Sequence, residues 1–282
     1  MNPSTNDPLR LGKTAVEISP LGIGTWAWGD RWVWGFGSNE ISCEAGVTFF
    51  DTAEAYGLGK SERLLGTFMR STGSHPVIAT KFLPLPWRLR KAALKRALRG
   101  SLKRLGLDHV DLYQIHFPVP VVAIETWMDV MAEAVETEMI RAVGVSNYDA
   151  KQMGRAHNAL AERGVPLASN QIHYSLLHRK PELNGVMQLC RDLEITLIAY
   201  SPLEMGILTG KYTPDNPLPG YRGLQYSRGY LAAVRPLIDR LREIGESHDG
   251  KSPAQVAINW VICKGAIPIP GAKTPRHARS NA

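Results

Sequence analysis

Short runs rich in Val, Ile, Phe and Tyr recur along this chain at intervals of about 28 to 34 residues: PLGIGTW, VTFFDTA, PVIATKF, VDLYQIHF, IRAVGVSN, ASNQIHY and TLIAYSPL, with GAIPIPGA following after a longer gap. Between most of them lie amphipathic stretches, SERLLGTFMRS, AIETWMDVMAEAVE, DAKQMGRAHNALAERG and PELNGVMQLCRDLE, which end on Gly or a charged turn as helices do. Strands that alternate with helices of this length must pair in parallel, because each connection crosses back over the sheet. Eight such units with nearly continuous apolar strands fit a closed barrel better than an open doubly wound sheet. No GxGxxG follows the first strand, which counts against a Rossmann domain. The expected fold is therefore α/β, a (β/α)8 TIM barrel. LRLGKTAVEIS reads as a hairpin capping its N-terminal end, which leaves the chemistry to the opposite rim.

Two further segments have local signatures. SPAQVAINWVICKG is a predicted helix with Ser252 as N-cap and Pro253 at its first position. The Gly/Pro-rich excursion GILTGKYTPDNPLPGYRGLQYSRG, followed by two helical stretches, is long enough to predict a functional loop.

The 282 residues suit one barrel, so a single domain over 1–282 is expected. No apolar run reaches the roughly 18 residues of a membrane span, and the opening MNPSTNDPLRLGKT lacks a signal or transit pattern; a mature, cytoplasmic chain is expected. Cys43, Cys190 and Cys263 are far apart and lack metal-ligand spacing, so no zinc site or disulfide framework is expected and the thiols read as buried or inert. The net charge of +7 raises the question of nucleic acid, since KAALKRALRGSLKR concentrates part of it. Leu94, Ala97, Leu98, Leu102 and Leu105 form an apolar stripe in that segment, however, so its cations read as the solvated face of a packed helix and no nucleic-acid partner is expected.

Polar residues at the C-terminal ends of the predicted strands identify the chemistry. Asp51 closes FFDTA, Tyr56 follows in its loop, Lys81 ends VIATK and His116 ends LYQIH. Alone, Lys81 or His116 reads as an ordinary strand-end residue; the set is more specific, because a buried Lys81 needs a counter-ion and Asp51 on the neighbouring strand supplies one. Tyrosine normally titrates near pH 10, and a nearby ammonium is expected to lower that value. Tyr56 can then protonate a carbonyl oxygen as hydride reaches its carbon, with a neutral His116 donating a hydrogen bond to the same oxygen.

DTAEAYG with SERLLG, then TKF, YQIH, GVSN, NQIHYSLL, AYSPL with LTGKY, and IPIPGAK resemble the aldo-keto reductase superfamily, in order, from about residue 9 to the C-terminus. The pattern is most similar to the plant and cyanobacterial branch related to potassium channel β subunits and pyridoxal reductases. The resemblance implies an NADPH-dependent oxidoreductase reducing a small-molecule carbonyl, with Asp51, Tyr56, Lys81 and His116 as its catalytic tetrad. It places the nicotinamide carboxamide against Ser146, Asn147 and Gln171 and stacks the ring on Tyr200. Ser201, Pro202, Leu203, Leu208, Gly210 and Lys211 match the stretch along the pyrophosphate, over which Arg222 closes. Gly24, Thr25, Trp26, Asp51, Gly271 and Asn281 complete the implied cofactor contacts. Lys273 matches the reader of the adenosine phosphate beside a helix start, favouring NADP over NAD; a solvated loop lysine is the alternative.

Trp26, Trp28, Trp32, Trp34 and Trp87 fall on the first and third βα loops, where the resemblance implies the substrate pocket. Trp26, Trp32 and Trp87, with Tyr56 and His116, are its expected walls, the alternative being that several tryptophans pack beneath the rim. Two departures stand out. SNEISCEAG leaves about two turns for the helix after the first strand, and Asn281-Ala282 end the sequence inside the implied last helix, with Ser280 where such proteins usually have Glu. An auxiliary protein of the channel β-subunit type, binding NADP with little turnover, is the competing reading.

Overall fold

The computed structural model describes residues 7–28, 46–272 and 275–281. Trp32, Trp34, Cys43, Lys273 and most of the shortened helix region SNEISCEAG lie outside the described residues.

The chain opens with an antiparallel hairpin, β1 (Leu9–Arg10) and β2 (Glu17–Ile18). Its turn presses into the barrel floor: Gly12 has φ +56°, and a Cβ there would stand 2.6 Å from the Ala168 carbonyl oxygen. Leu11, Val16 and Ile18 are buried against Phe49, Ala79, Leu112, Ala168 and Ile198, so the hairpin plugs the bottom as expected.

Eight parallel strands follow: β3 (Gly22–Gly24), β4 (Phe49–Asp51), β5 (Val77–Phe82), β6 (Val110–Ile115), β7 (Ile140–Ser146), β8 (Leu167–His173), β9 (Thr196–Tyr200) and β10 (Ile267–Ile269). They hydrogen-bond in sequence order. The barrel closes where Gly24 pairs with Gly271 in a parallel bridge and its N–H donates to the Pro270 carbonyl at 3.0 Å. A Cβ on Gly24 would meet the Ile269 carbonyl oxygen at 2.8 Å, so the seam requires glycine.

Alternation along each strand sorts the side chains. Phe50, Ile78, Tyr113, Val143, Val145 and Leu197 face the surrounding helices, whereas Phe49, Ala79, Leu112, Ala142 and Ile198 fill the interior. Around the sheet lie α1 (Lys60–Thr72), α2 (Lys91–Leu105), α3 (Ile124–Glu136), α4 (Ala150–Ala161), α5 (Lys180–Leu183) and α6 (Val186–Asp192). After a 3-10 helix (Glu204–Thr209) come α7 (Tyr221–Gln225), α8 (Arg228–Glu246), α9 (Pro253–Cys263) and α10 (Pro275–Asn281).

The stripe of α2, Leu94, Ala97, Leu98, Leu102 and Leu105, is buried, leaving Lys91, Arg96, Arg99 and Lys103 exposed, while Arg104 turns in to pair with the buried Glu62. The Ser252 cap of α9 forms a full capping box with Gln255. The stretch PELNGVMQLCRDLE is two helices rather than one: Gly185 adopts φ 80°, breaking the run between α5 and α6. Cys190 is buried, and Cys263 is exposed at the end of α9. Among the described residues no helix is long and apolar enough to cross a membrane.

Candidate active site

Asp51, Lys81 and Gln114 share the interior parity of adjacent strands, with Ala79 and Leu112 one step below Lys81 and Gln114. Their side chains therefore converge at the C-terminal mouth of the barrel. Lys81 has no solvent exposure. Its Nζ donates to Asp51 Oδ2 at 2.6 Å, to the Thr52 carbonyl at 2.8 Å and to Tyr56 Oη at 3.3 Å. The second carboxylate oxygen, Oδ1, accepts from Gln171 Nε2 at 2.8 Å and from Gln114 Nε2 at 3.4 Å. A buried carboxylate and ammonium are thus each supplied with several partners, which such a pair needs to offset lost hydration.

Tyr56 stands above Lys81 and meets the His116 ring edge-on, centroids 5.9 Å apart. Burial, reinforced by the Asp51 carboxylate, holds the Tyr56 phenol well above its ordinary value. This corrects the expectation that Lys81 lowers it: Asp51 neutralises the ammonium, so the phenol experiences desolvation more than positive charge. Burial lowers Lys81 itself, against the pull of Asp51. His116 is pushed down to about 3, first by burial and then by Lys81, so its imidazole is neutral near pH 7. Its Nδ1 is buried without a hydrogen-bond partner, and Phe117 stacks on the ring at 4.8 Å.

Asn147, at φ 62°, organises the next wall. Its Nδ2 donates to the His116 carbonyl at 3.1 Å, and its Oδ1 accepts from Tyr200 Oη at 2.9 Å. Ser146 Oγ donates to the Gln171 carbonyl at 2.9 Å.

A cavity of about 930 Å³ opens over these groups, within the size range of ligand sites. Asp51, Tyr56 and His116 line it, as do Gly24, Trp26, Ser146, Asn147, Gln171, Tyr200, Ser201, Pro202, Leu203, Lys211, Arg222, Gly271 and Asn281. Three expected contacts are not brought to its wall. Leu208 is fully buried in a satellite core with Leu231 and Ile238. Gly210 terminates the 3-10 helix at φ 72°, packed against Ile238 and Arg242. Thr25 donates to the Asp51 carbonyl and shares a buried hydroxyl cluster with Ser61 and Thr52.

The tryptophans divide. Trp26 lines the cavity, with its ring 6.4 Å from that of Tyr56. Trp28 packs beneath the rim, its Nε1 donating to the Ala272 carbonyl at 2.7 Å. Trp87 does not line the cavity: it sits in a tight turn closed from Arg88 N–H to the Leu85 carbonyl and is 77% exposed. Sequence reasoning missed Leu83, Phe117, Met205, Tyr212 and His277, all lining residues, and Gln114 beneath them. Gln114 was accessible, standing two residues before His116 and so on the same face of its strand.

The Aldo/keto reductase family model matches residues 20–282. A pyridoxal reductase, chloroplastic, of Arabidopsis thaliana is 40% identical over 94% of this chain and 78% of its own length. An NADH-specific methylglyoxal reductase of Escherichia coli is 27% identical over 96% of this chain and 91% of its own. Among solved structures, the glycerol dehydrogenase AKR11B4 from Gluconobacter oxydans superposes with a TM-score of 0.85 at 26% identity, covering 98% of this chain and 89% of that one.

Proposed function

Given that the chain belongs to the aldo/keto reductase family, we propose that it reduces an aldehyde or ketone to an alcohol with NADPH, Tyr56 giving the proton. The observation that carries the reading is the Asp51–Lys81–Tyr56 chain of contacts, 2.6 and 3.3 Å, ending at a cavity wall beside His116. Bound NADPH would supply hydride to the carbonyl carbon. As charge accumulates on the carbonyl oxygen, Tyr56 Oη transfers its proton there, since an alkoxide is a much stronger base than even a buried phenolate. Lys81 Nζ then holds the phenolate, and Asp51 and the Thr52 carbonyl hold Lys81 in place. The neutral His116 directs a ring N–H at the same oxygen.

The residues present suit a dinucleotide. Gln171 gives its Nε2 to Asp51, leaving Oε1 to accept an amide N–H, and Ser146 and Asn147 stand beside it. The Tyr200 ring offers a flat wall, and Ser201, Pro202, Leu203, Lys211 and Arg222 also line the cavity, the two cations among them suiting phosphate. The choice of NADPH over NADH follows the resemblance of Lys273 and belongs to this reading, as does the expected cytoplasmic setting, where the exposed Cys263 thiol would stay reduced.

The test is NADPH oxidation by the purified chain across a panel of aldehydes and ketones. Tyr56→Phe should lower turnover by about 10²- to 10⁴-fold while NADPH affinity stays within a few fold. Unchanged turnover in that variant would overturn the role of Tyr56.

A further inference from the structure

Glu204 is a buried acid that the proposed chemistry does not use. It lies in a segment of unusual backbone: Ser201, Glu204 and Met205 have φ of 52°, 46° and 51°, positive values that a non-glycine residue holds only when its surroundings enforce them. The Glu204 carboxylate is held by three hydrogen-bonding partners. One carboxylate oxygen, Oε2, accepts from Ser175 Oγ at 2.9 Å and lies 2.9 Å from His173 Nε2; the other, Oε1, accepts from Tyr226 Oη at 2.9 Å. Burial alone would raise this carboxyl, but bonds from His173, Tyr226 and Ser175 outweigh it and keep Glu204 below the usual carboxylate range.

The partners lead in two directions. His173, the last residue of β8, stacks on Tyr200 with centroids 5.3 Å apart and planes 17° off parallel. His178 stacks behind it at 4.0 Å, completing a pile of three rings whose innermost member, Tyr200, is a cavity wall. Tyr226 ends the segment 210–226, immediately before Ser227 caps α8. That segment places Lys211, Tyr212 and Arg222 in the cavity wall. A single side chain therefore fastens both the ring wall and the strap.

We propose that Glu204 is a positioning residue that joins the 210–226 strap to the Tyr200 ring wall, so that opening one loosens the other. The inference rests on the dinucleotide reading only for what the strap covers; the joint itself is a property of the cofactor-free protein. Two separate anchors would let the strap lift without disturbing the wall. A shared carboxylate does not, because losing either partner leaves a buried charge short of a donor and raises the cost of keeping it where the other partner holds it.

Trypsin is a direct probe, since Lys211 and Arg222 lie in the strap. In the cofactor-free protein, Tyr226→Phe, which removes one hydroxyl, should raise the initial rate of cleavage at these residues roughly ten- to a hundredfold, the loss expected for one hydrogen bond to a charged group. His173→Phe keeps a ring against Tyr200 but loses the bond to Glu204, and should raise the same cleavage although His173 lies outside the strap. Adding Tyr226→Phe to Glu204→Gln should have little further effect. Thermal unfolding of each variant separates strap opening from general destabilisation, and the two single variants at His173 and Tyr226 carry the test if Glu204→Gln fails to fold. NADPH release, followed by tryptophan fluorescence, should quicken in the same order. Cleavage of His173→Phe at the parent rate, or independent multiplying effects at positions 204 and 226, would overturn the proposal. Absence of NADPH binding in the parent chain would overturn the cofactor reading instead, with the trypsin result still deciding the joint.

Discussion

His116 lies against aromatic rings and has an unpartnered buried Nδ1, so its imidazolium form is disfavoured and it titrates at about 3, against about 6.5 in an unfolded chain. Between those values the unfolded state binds more protons than the folded one. The contribution is complete above about pH 6.5 and is lost as pH falls toward 3. Urea unfolding followed across that window should show stability declining on acidification, and His116→Gln should flatten the slope; an unchanged slope would place the acid sensitivity elsewhere. Asp51, Tyr56, Lys81 and His116 were legible because strand parity and strand ends are one-dimensional properties. Their electrostatic state was not. The sequence shows an ammonium near a phenol, but whether Asp51 cancels its field depends on the 2.6 Å contact between them.

At the scale of elements, the helices owe their limits to local chemistry. α4 starts at Asp149, whose side chain accepts the Gln152 N–H at 2.8 Å while Gln152 Oε1 accepts the Asp149 N–H at 3.0 Å. Asp149→Ala removes one half of this capping box on an exposed turn and should cost about 1 kcal/mol, read as a lower denaturation midpoint with NADPH binding unaltered. No change in midpoint would mean that the α4 start is held by packing alone. The same local logic explains the error at α5 and α6: an apolar period runs through PELNGVMQLCRDLE, and the sequence pattern outweighed the Asn184-Gly185 break that Gly185 enforces with its left-handed backbone. The turn that carries Trp87 outward was likewise present in LPLPWR, yet an aromatic residue near the rim was read as a pocket wall.

At the scale of the molecule, the cavity draws lining groups from β3 and its loop through to α10, so a ligand that fills it should tighten the whole barrel. NADPH at about 100 times its dissociation constant should stabilise the chain by about 2.7 kcal/mol, visible as a raised melting temperature, and NADH at equal concentration should raise it less. Equal shifts would refute the preference for NADPH; no shift would refute the dinucleotide reading. Alternation of strands and helices, the apolar stripe of α2, the Ser252 cap and the gathering of Asp51, Tyr56, Lys81 and His116 at one rim were determined by the sequence alone, because each depends on residue type at fixed spacing along the chain. The seam at Gly24 and Gly271, the burial of Leu208, the outward Trp87 and the joining of His173 to Tyr226 through Glu204 were decided by tertiary structure. Each of these unites residues distant in sequence, or sets one side chain's direction against its neighbours, and periodicity carries no information about either.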